Sequence, residues 1–198
     1  MQIDPLSERA QSPQPTLTTP RLVLRPFRRE DASRVKRLAG EREVADATSQ
    51  IPHPYEDGMA EQWIATHDEA FAERKHATFA LTLRDEGELV GACALSIDRQ
   101  ASRGELGYWI GKPYWHHGFA TEAGRAVMAF GFEFLELNRI YARHLARNAP
   151  SGRVMEKLGM LKEGVARQDA VMWGEYEDVV SYGILRVDWL KSHADLPS

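Results

Sequence analysis

The fold is decided by a stretch that reads Pro113-Tyr114-Trp115-His116-His117-Gly118-Phe119-Ala120-Thr121-Glu122-Ala123. It follows a run with strand character, residues 104–111, and opens an apolar segment typical of a helix over residues 120–135. The first backbone N–H groups of a helix have no partner inside it, and the helix dipole adds positive potential there. A strand, a glycine-bearing turn and a helix N-terminus therefore predict a phosphate or pyrophosphate site. A tight turn in which Gly118 serves packing alone is the alternative interpretation.

Length and composition bound the class of protein. The chain has 198 residues, which suits one domain, and 43% are hydrophobic, which is enough for a core. The net charge of −4, without a long run of one sign, argues against a nucleic-acid partner. No stretch approaches the roughly 20 apolar residues of a membrane span, and the N-terminus does not resemble a signal peptide. We therefore predict a cytoplasmic protein with neither a membrane nor a nucleic-acid partner.

The single cysteine, Cys93, cannot form an internal disulfide, which fits a reducing compartment. Its neighbours Ala92 and Ala94 are apolar, and no cationic group nearby would lower its pKa. We predict a small buried side chain rather than a nucleophile.

The remaining pattern predicts an α/β (α+β) domain, because helices and strands are interspersed along the chain. The order of predicted elements gives six to seven strands and about four flanking helices, and the family resemblance set out below implies that the sheet is mixed and mostly antiparallel. A strand–turn–helix–strand unit at 104–145 indicates a right-handed crossover and hence one parallel pair. Predicted strands cover 21–27, 78–83, 88–97, 104–111, 139–145, 160–171 and 175–185, with helices after Asp31 and over 56–75, 120–135 and 148–159, and a loop over 41–55. A mobile leader (1–16), a domain (17–190) and a C-terminal tail (191–198) complete the organisation.

These residues resemble the GNAT N-acetyltransferase superfamily, and within it the RimJ/RimL-like group of ribosomal-protein N-terminal acetyltransferases. The superfamily motif Gln/Arg-x-x-Gly-x-Gly/Ala falls on residues 115–120, and the group's Tyr-Trp-Gly-x-Gly-Tyr-Ala-Thr-Glu-Ala is similar to residues 114–123. Three further pieces fit in order: Arg21-Leu22-Val23-Leu24-Arg25-Pro26, Asn148-x-x-Ser151 with Glu156-Lys157-Leu158-Gly159-Met160, and Gly174-x-Tyr176-x-Asp178. The resemblance covers the chain from about Leu17 to Leu190 and implies the GNAT fold.

The resemblance implies acetyl-CoA as the acetyl donor. The residues it assigns to acetyl-CoA binding are Ile110, Trp115, His116, His117, Gly118, Phe119, Ala120, Thr121, Asn148 and Ser151. His116 stands where the group commonly has glycine, and His117 where it commonly has Lys or Arg. Backbone N–H groups do most of the phosphate binding, so we expect binding to survive both changes. Two adjacent histidines without a third ligand make a poor metal site, so no metal is predicted.

The mechanism that the resemblance implies is direct attack of a primary amine on the thioester in a ternary complex. Glu105 is the candidate general base, with a solvated carboxylate as its alternative role and Asp169 as a weaker rival. The N–H of Ile110 or a neighbour is the oxyanion donor, by resemblance to a bulged strand. No tyrosine occupies the helix at 148–159, so Ser151 is named as acid or hydrogen-bond donor to the thiol, with capping of its own helix as the alternative.

The acceptor is predicted from amine chemistry. An α-amine has a pKa of about 7.7–8.0, so about a tenth is neutral at pH 7, whereas lysine is neutral well below one part in a thousand. A protein N-terminal amine is therefore the first choice. Alternatives are a small-molecule amine (polyamine, amino acid or antibiotic) and a non-catalytic acyl-CoA-binding module; a P-loop is disfavoured because Gly-Lys-Ser/Thr is missing. A homodimer is possible. The candidate residues lining the acceptor site are His53, Tyr55, Trp63 and Trp173.

Overall fold

A computed structural model describes residues 13–194, which build one eight-stranded sheet. The strands are β1 (Leu17–Thr18), β2 (Leu22–Arg25), β3 (His76–Leu83), β4 (Leu89–Asp98), β5 (Arg103–Ile110), β6 (Arg139–Leu145), β7 (Leu161–Met172) and β8 (Glu175–Leu185). Their spatial order is β1-β2-β3-β4-β5-β6-β8-β7. Every neighbouring pair is antiparallel except β5 and β6, which are parallel.

Helices cover both faces of this sheet. They are α1 (Ala32–Ala39), α2 (Arg42–Asp46), α3 (Met59–Ala65), α4 (His67–Ala72), α5 (Phe119–Ala129), α6 (Ala149–Lys157) and α7 (Arg186–Ala194). Single turns of 3₁₀-helix lie at Arg29–Asp31 and Lys112–Tyr114, and a π-helical turn at Phe130–Phe134 continues α5. We call the face under α5 and α6 the helix face, where Phe79, Leu95 and Val127 are fully buried. Leu38 of α1 and Ala60 of α3 pack on the opposite face.

The two parallel strands diverge after a short stretch of pairing. β5 and β6 are in register only at Arg103↔Arg139, Gly104↔Ile140 and Glu105↔Tyr141. Beyond these positions residues 106–110 pair with β4 on one side, and residues 142–145 pair with β8. A wedge-shaped opening therefore separates residues 106–110 from residues 142–145, and we call it the strand gap.

The backbone N–H and C=O groups of every second residue of β5 point into the strand gap. Gly111 donates its N–H to the carbonyl of Val90 at 2.8 Å. Hydrogen bonding alternates along an antiparallel pair, so the odd-numbered residues of β5 bond to β4. The N–H and C=O groups of Leu106, Tyr108 and Ile110 therefore point away from β4, into the gap.

The predicted fold class is confirmed, and the strand count is corrected. The sheet has eight strands rather than six to seven, because the two residues of β1 pair with Leu24 and Val23 of β2. The described residues also form more helices than the four expected. The segment predicted as one helix over 56–75 divides into α3 and α4, and the predicted loop over 41–55 contains α2.

The predicted ends of the domain fall partly outside the described residues. Residues 1–12 of the predicted leader and residues 195–198 of the predicted tail are not described. Within the leader, Gln14 donates its side-chain N–H to the carbonyl of Thr78 at 2.9 Å. Helix α7 extends to Ala194, inside the segment predicted as tail.

Candidate active site

The turn between β5 and α5 is a helix N-terminus without a side-chain cap. Gly118 is the N-cap of α5 and has a φ of 81°. Because glycine has no side chain, it cannot accept a hydrogen bond from the N–H groups of the first turn. The N–H of Glu122 bonds to the Gly118 carbonyl at 3.1 Å. The N–H groups of Phe119, Ala120 and Thr121 precede any intrahelical acceptor, so they are available to an anion.

We call residues 115–121 the glycine loop. Several of its side chains fold back onto its own backbone. The indole N–H of Trp115 donates to the Ile110 carbonyl at 2.7 Å. The Nδ1 of His117 lies 2.8 Å from the Trp115 carbonyl, and its ring stacks on Phe119. His116 has a φ of 65°, a left-handed conformation that glycine adopts without strain. The backbone of the loop is therefore the part presented to a ligand.

Residues of the turn between β1 and β2 form a salt-bridged strap that fastens the glycine loop to α5. Arg21 donates to the His117 carbonyl at 2.9 Å and to the Glu122 carboxylate at 2.7 Å. Glu122 also accepts from the Thr19 hydroxyl at 2.7 Å and from the Arg21 backbone N–H at 2.9 Å. Burial acts to raise the pKa of Glu122, but hydrogen bonds from Thr19 and Arg21 outweigh it and hold that pKa below its ordinary value. Glu122 therefore stays ionised and locked to Arg21.

An open cleft of about 630 Å³ lies beside the strap. Gly118 and Thr121 of the glycine loop line it, together with the cationic side chains of Arg21, Arg125 and Lys157. Arg125 donates to the carbonyl of Lys157 at 3.3 Å, which joins α5 to the end of α6. The cleft thus combines free helix N–H groups with positive charge, an arrangement suited to a phosphorylated ligand.

Helix α6 brings Ser151 to the helix-face side of the strand gap. Asn148 is its N-cap, and its side-chain oxygen accepts from the Ser151 N–H at 3.3 Å. The other end of the Asn148 amide donates to the Ala47 carbonyl at 2.8 Å. The Ser151 hydroxyl lies 2.8 Å from the Tyr108 hydroxyl. Capping is therefore done by Asn148, and the hydroxyl of Ser151 meets a residue of β5.

Glu105 faces the opposite side of the sheet. Side chains alternate along a strand, so Glu105 and Tyr108 project from opposite faces of β5. The Glu105 carboxylate accepts from Arg143 at 2.9 Å and from the Tyr141 hydroxyl at 3.1 Å. The hydrogen bond that Arg143 donates to Glu105 raises the pKa of the Arg143 guanidinium above its ordinary value. We call the face that carries Glu105, Tyr141 and Arg143 the acceptor face; Asp169 lies 4.0 Å from Arg143.

The tip of the β7–β8 hairpin contacts α2 through the side chain of Trp173. The indole N–H of Trp173 donates to Asp46 at 2.6 Å, and Arg42 lies over its ring. His53 contacts Trp173 edge to face, with ring centroids 6.1 Å apart. Of the four predicted lining residues, these two meet at the hairpin tip. Trp63 instead packs on Phe27 in the core beneath α1.

The structure brings most of the predicted site residues around one opening. Ile110, the glycine loop and Ser151 border the strand gap, whereas Glu105 lies at its closed end. The bulge expected in β5 is absent from its pairing with β4, whose register is unbroken from Ile110 to Arg103. Cys93 is fully buried, and burial raises the pKa of its thiol to about 12, as expected of a core residue.

Sequence reasoning missed Tyr108 and the strap from Arg21 to Glu122. Tyr108 alternates with Leu106 and Ile110, so its position on the helix face was predictable from strand periodicity. Its contact with Ser151 was not, because the two residues are 43 positions apart. The charges of Arg21 and Glu122 were visible, but not their pairing across 101 positions.

Comparison with known proteins identifies the class that this site and fold define. A family model described as "Acetyltransferase (GNAT) domain" matches residues 21–161. The chain therefore belongs to the GNAT acetyltransferases, and it is an acetyl-CoA-dependent N-acetyltransferase. It falls within the RimJ/RimL-like group, which confirms the resemblance seen in the sequence.

Individual relatives cover almost the whole chain. The uncharacterized N-acetyltransferase p20 of Bacillus licheniformis is 30% identical over 175 residues, which span 88% of this chain and 98% of that protein. The [ribosomal protein uS5]-alanine N-acetyltransferase of Escherichia coli is 27% identical over 190 residues, 91% of this chain and 96% of that protein. A crystal structure of a GNAT acetyltransferase from Bacillus anthracis superposes with a TM-score of 0.78 at 26% identity, over 87% of this chain and 99% of the other.

No helix within residues 13–194 has the length and apolar character needed to cross a membrane.

Proposed function

We propose that this enzyme acetylates the α-amine at the N-terminus of a protein or peptide. The observation that carries the proposal is the placement of polar groups on the two sides of the strand gap. Ser151 lies on the helix face, and Glu105 projects from the acceptor face. A thioester threaded through the gap would then meet an amine arriving from the side of Glu105, with its sulfur towards Ser151.

Acetyl-CoA binding follows from the same geometry. The pyrophosphate would accept hydrogen bonds from the N–H groups of residues 117–121, and the basic cleft beside Arg125 and Lys157 would take further phosphate charge. The amide-bearing arm of CoA would run along residues 106–110, where the backbone groups of Leu106, Tyr108 and Ile110 face the gap. The N–H of Ile110 points the same way, so it can donate to the oxyanion of the tetrahedral intermediate.

Proton transfer at the amine is assigned to Glu105 acting through water. Its carboxylate already accepts hydrogen bonds from Arg143 and Tyr141, so its oxygens are partly occupied. A weak base of this kind suits an α-amine, of which about a tenth is neutral at pH 7. It would serve a lysine side chain poorly, since that amine holds its proton far more tightly.

Two further observations support a peptide acceptor. The acceptor face carries charges of both signs, because the carboxylates of Glu105 and Asp169 both lie beside the Arg143 guanidinium. A polyamine would be bound best by carboxylates without such a cationic partner. The Escherichia coli relative is named for acetylating the alanine of ribosomal protein uS5. We further propose that residues 17–190 form the catalytic domain and that the enzyme works in the cytoplasm on a ribosomal or similar protein.

Release of CoA from acetyl-CoA tests this function against a matched set of acceptors. A short peptide with a free N-terminus and an internal lysine should be acetylated at its α-amine, and mass spectrometry should locate the group there. The same peptide with a blocked N-terminus, and spermidine, should react at least tenfold more slowly. Faster reaction of spermidine would favour a small-molecule acceptor, and binding of acetyl-CoA without any turnover would indicate a non-catalytic module.

A further inference from the structure

Two hydroxyl groups meet across the mouth of the strand gap. The hydroxyl of Tyr108, on β5, lies 2.8 Å from the hydroxyl of Ser151, on α6. The Tyr108 hydroxyl is also 3.2 Å from the Ser151 carbonyl, to which it can donate. The Tyr108 hydroxyl has one hydrogen, and the shorter contact directs it to the Ser151 hydroxyl, with the Ser151 carbonyl as a second and longer acceptor.

The role of this contact is not to cap the helix. Asn148 accepts from the Ser151 N–H, so the start of α6 is already satisfied. Among the described residues, Tyr108 is the one hydrogen-bond partner of the Ser151 hydroxyl. A serine hydroxyl rotates freely unless a neighbour holds it, because its hydrogen turns about the Cβ–Oγ bond. Tyr108 is thus the group that can determine where the Ser151 hydrogen points.

The surroundings of Tyr108 make it a rigid partner. Its ring packs with the core of the helix face, next to Leu106 and Ile110. Burial raises the pKa of its hydroxyl, so the proton stays on Tyr108 throughout the range in which the enzyme can be assayed. A hydroxyl with this character donates hydrogen bonds and does not release its proton.

We propose that Tyr108 is a positioning residue that donates a hydrogen bond to Ser151, so that the Ser151 hydroxyl hydrogen points at the sulfur of acetyl-CoA. The inference rests on the proposed function, in which that sulfur lies in the strand gap. When the tetrahedral intermediate collapses, the C–S bond breaks and its electron pair goes to sulfur. The Ser151 O–H stabilises the thiolate by a hydrogen bond, and neither hydroxyl loses its proton. The thiolate takes its proton from water, and the surplus proton of the attacking amine goes to Glu105 or to water.

Tyr108→Phe tests the proposal, because it keeps the ring and removes only the hydroxyl. We expect kcat to fall about tenfold, which corresponds to the loss of roughly one hydrogen bond, while the Kd for acetyl-CoA stays within threefold of wild type. Ser151→Ala should lose a similar amount, and the double variant should lose little more than Ser151→Ala alone. Tyr182→Phe is the matched control, because its hydroxyl donates to Glu156 of the same helix at 3.2 Å; its kcat should equal that of wild type.

A second readout separates positioning at sulfur from a general loss of packing. The acetyl selenoester of CoA has nearly the same shape but a more acidic leaving group, so it needs less help when its bond breaks. Tyr108→Phe should therefore slow the selenoester less than acetyl-CoA. Full kcat for Tyr108→Phe, losses that multiply in the double variant, or equal slowing of both donors would overturn the proposal. Failure of the proposed function would be distinct, because the wild-type enzyme itself would then acetylate no α-amine.

Discussion

At the scale of single residues, the backbone of the glycine loop matters more than its side chains. His116 and His117 depart from the pattern typical of the group, yet neither change removes an N–H group from the loop. His116 adopts the left-handed conformation in which glycine is common, so the usual glycine at this position has a conformational reason. The ring of His117 folds back towards the Trp115 carbonyl. The loop keeps the geometry of an anion site with two bulkier residues in it.

Gly118→Ala tests the contribution of this backbone. Its φ of 81° is strained for alanine by about 1 kcal/mol, although a Cβ would meet only Arg21, at 3.5 Å. Relief of that strain turns the first N–H groups of α5 away from the ligand, so the Kd for acetyl-CoA should rise about tenfold. Isothermal titration calorimetry gives this number.

Gly174→Ala is the matched control for Gly118→Ala. Gly174 has a φ of 87° in the β7–β8 turn, and a Cβ there meets nothing within 4 Å. Both variants should lose similar thermal stability, but Gly174→Ala should bind acetyl-CoA like wild type. Equal affinities for all three proteins would contradict a backbone-based site.

Glu105→Gln tests the base at the residue scale. The variant keeps the size of the side chain but loses its negative charge beside Arg143. Its rate should fall most below pH 7, where few amines are neutral, and approach wild type above pH 9. A pH–rate profile parallel to that of wild type would remove Glu105 from this role and turn attention to water or Asp169.

At the scale of elements, the strap formed by Thr19, Arg21 and Glu122 supports the glycine loop and lines the basic cleft beside it. The Arg21 guanidinium neutralises a carboxylate in the first turn of α5, close to where phosphates would bind. Without that cation, the charge of Glu122 would repel the ligand.

Arg21→Ala should therefore raise the KM for acetyl-CoA about tenfold and leave kcat within twofold of wild type. Arg21→Lys should rescue only part of the loss, because an ammonium cannot bond to the His117 carbonyl and the Glu122 carboxylate together as the guanidinium does. Steady-state kinetics at saturating acceptor measures both constants. Arg103→Ala is the control, since the Arg103 side chain is as exposed as that of Arg21 and pairs with Asp98, away from the glycine loop. A purely structural strap would instead lower stability without a selective change in KM.

Elements differed in how well the sequence predicted them. The strand over 139–145 was predicted with its observed bounds, because alternating residues and a flanking helix N-cap are local signals. The helix predicted over 56–75 is broken at Thr66, whose hydroxyl bonds back to the Trp63 carbonyl at 2.8 Å. The five residues of α2 are too few to show a helical period, and their contact with Trp173 comes from a distant hairpin.

At the scale of the whole molecule, the glycine loop was predictable because it depends on neighbours in the chain. The relation of Glu105 to Ser151 was not, because it depends on where β5 and β6 stop pairing. That divergence follows from how distant strands are paired, and no local pattern in either strand encodes it. The same limit applies to the contact between Tyr108 and Ser151, which joins residues 43 positions apart.

A buried histidine makes the stability of the whole fold sensitive to pH. The ring centroid of His67 lies 4.5 Å from that of Trp63 and 5.3 Å from that of Phe27. Within the described residues, the ring nitrogens of His67 have no hydrogen-bond partner. Burial lowers the pKa of His67 to about 4, with Asp68 and His76 as the charged neighbours. The unfolded chain binds this proton below pH 6.5 and the folded chain does not. Stability is therefore full above pH 6.5 and is lost as the pH falls towards 4.

His67→Phe should abolish this component of the pH dependence. Between pH 7.5 and pH 5 the wild-type free energy of unfolding should drop by about 2 kcal/mol through His67 alone, and the variant should lack that drop. Urea unfolding at the two pH values measures it. His117→Gln, at an exposed histidine that is not among the charged neighbours of His67, should retain the wild-type drop. Equal pH dependence in wild type and His67→Phe would show that His67 titrates normally.

In the proposed reaction, acetyl-CoA passes through the strand gap while the amine arrives on the acceptor face. A crystal structure with a bisubstrate conjugate, CoA joined through sulfur and an acetyl bridge to a peptide α-amine, tests this most directly. We expect the pyrophosphate within hydrogen-bond distance of the N–H groups of residues 117–121, the sulfur beside Ser151, and the peptide nitrogen on the side of Glu105. A pyrophosphate bound away from the glycine loop, or a peptide lying on the helix face, would contradict the account.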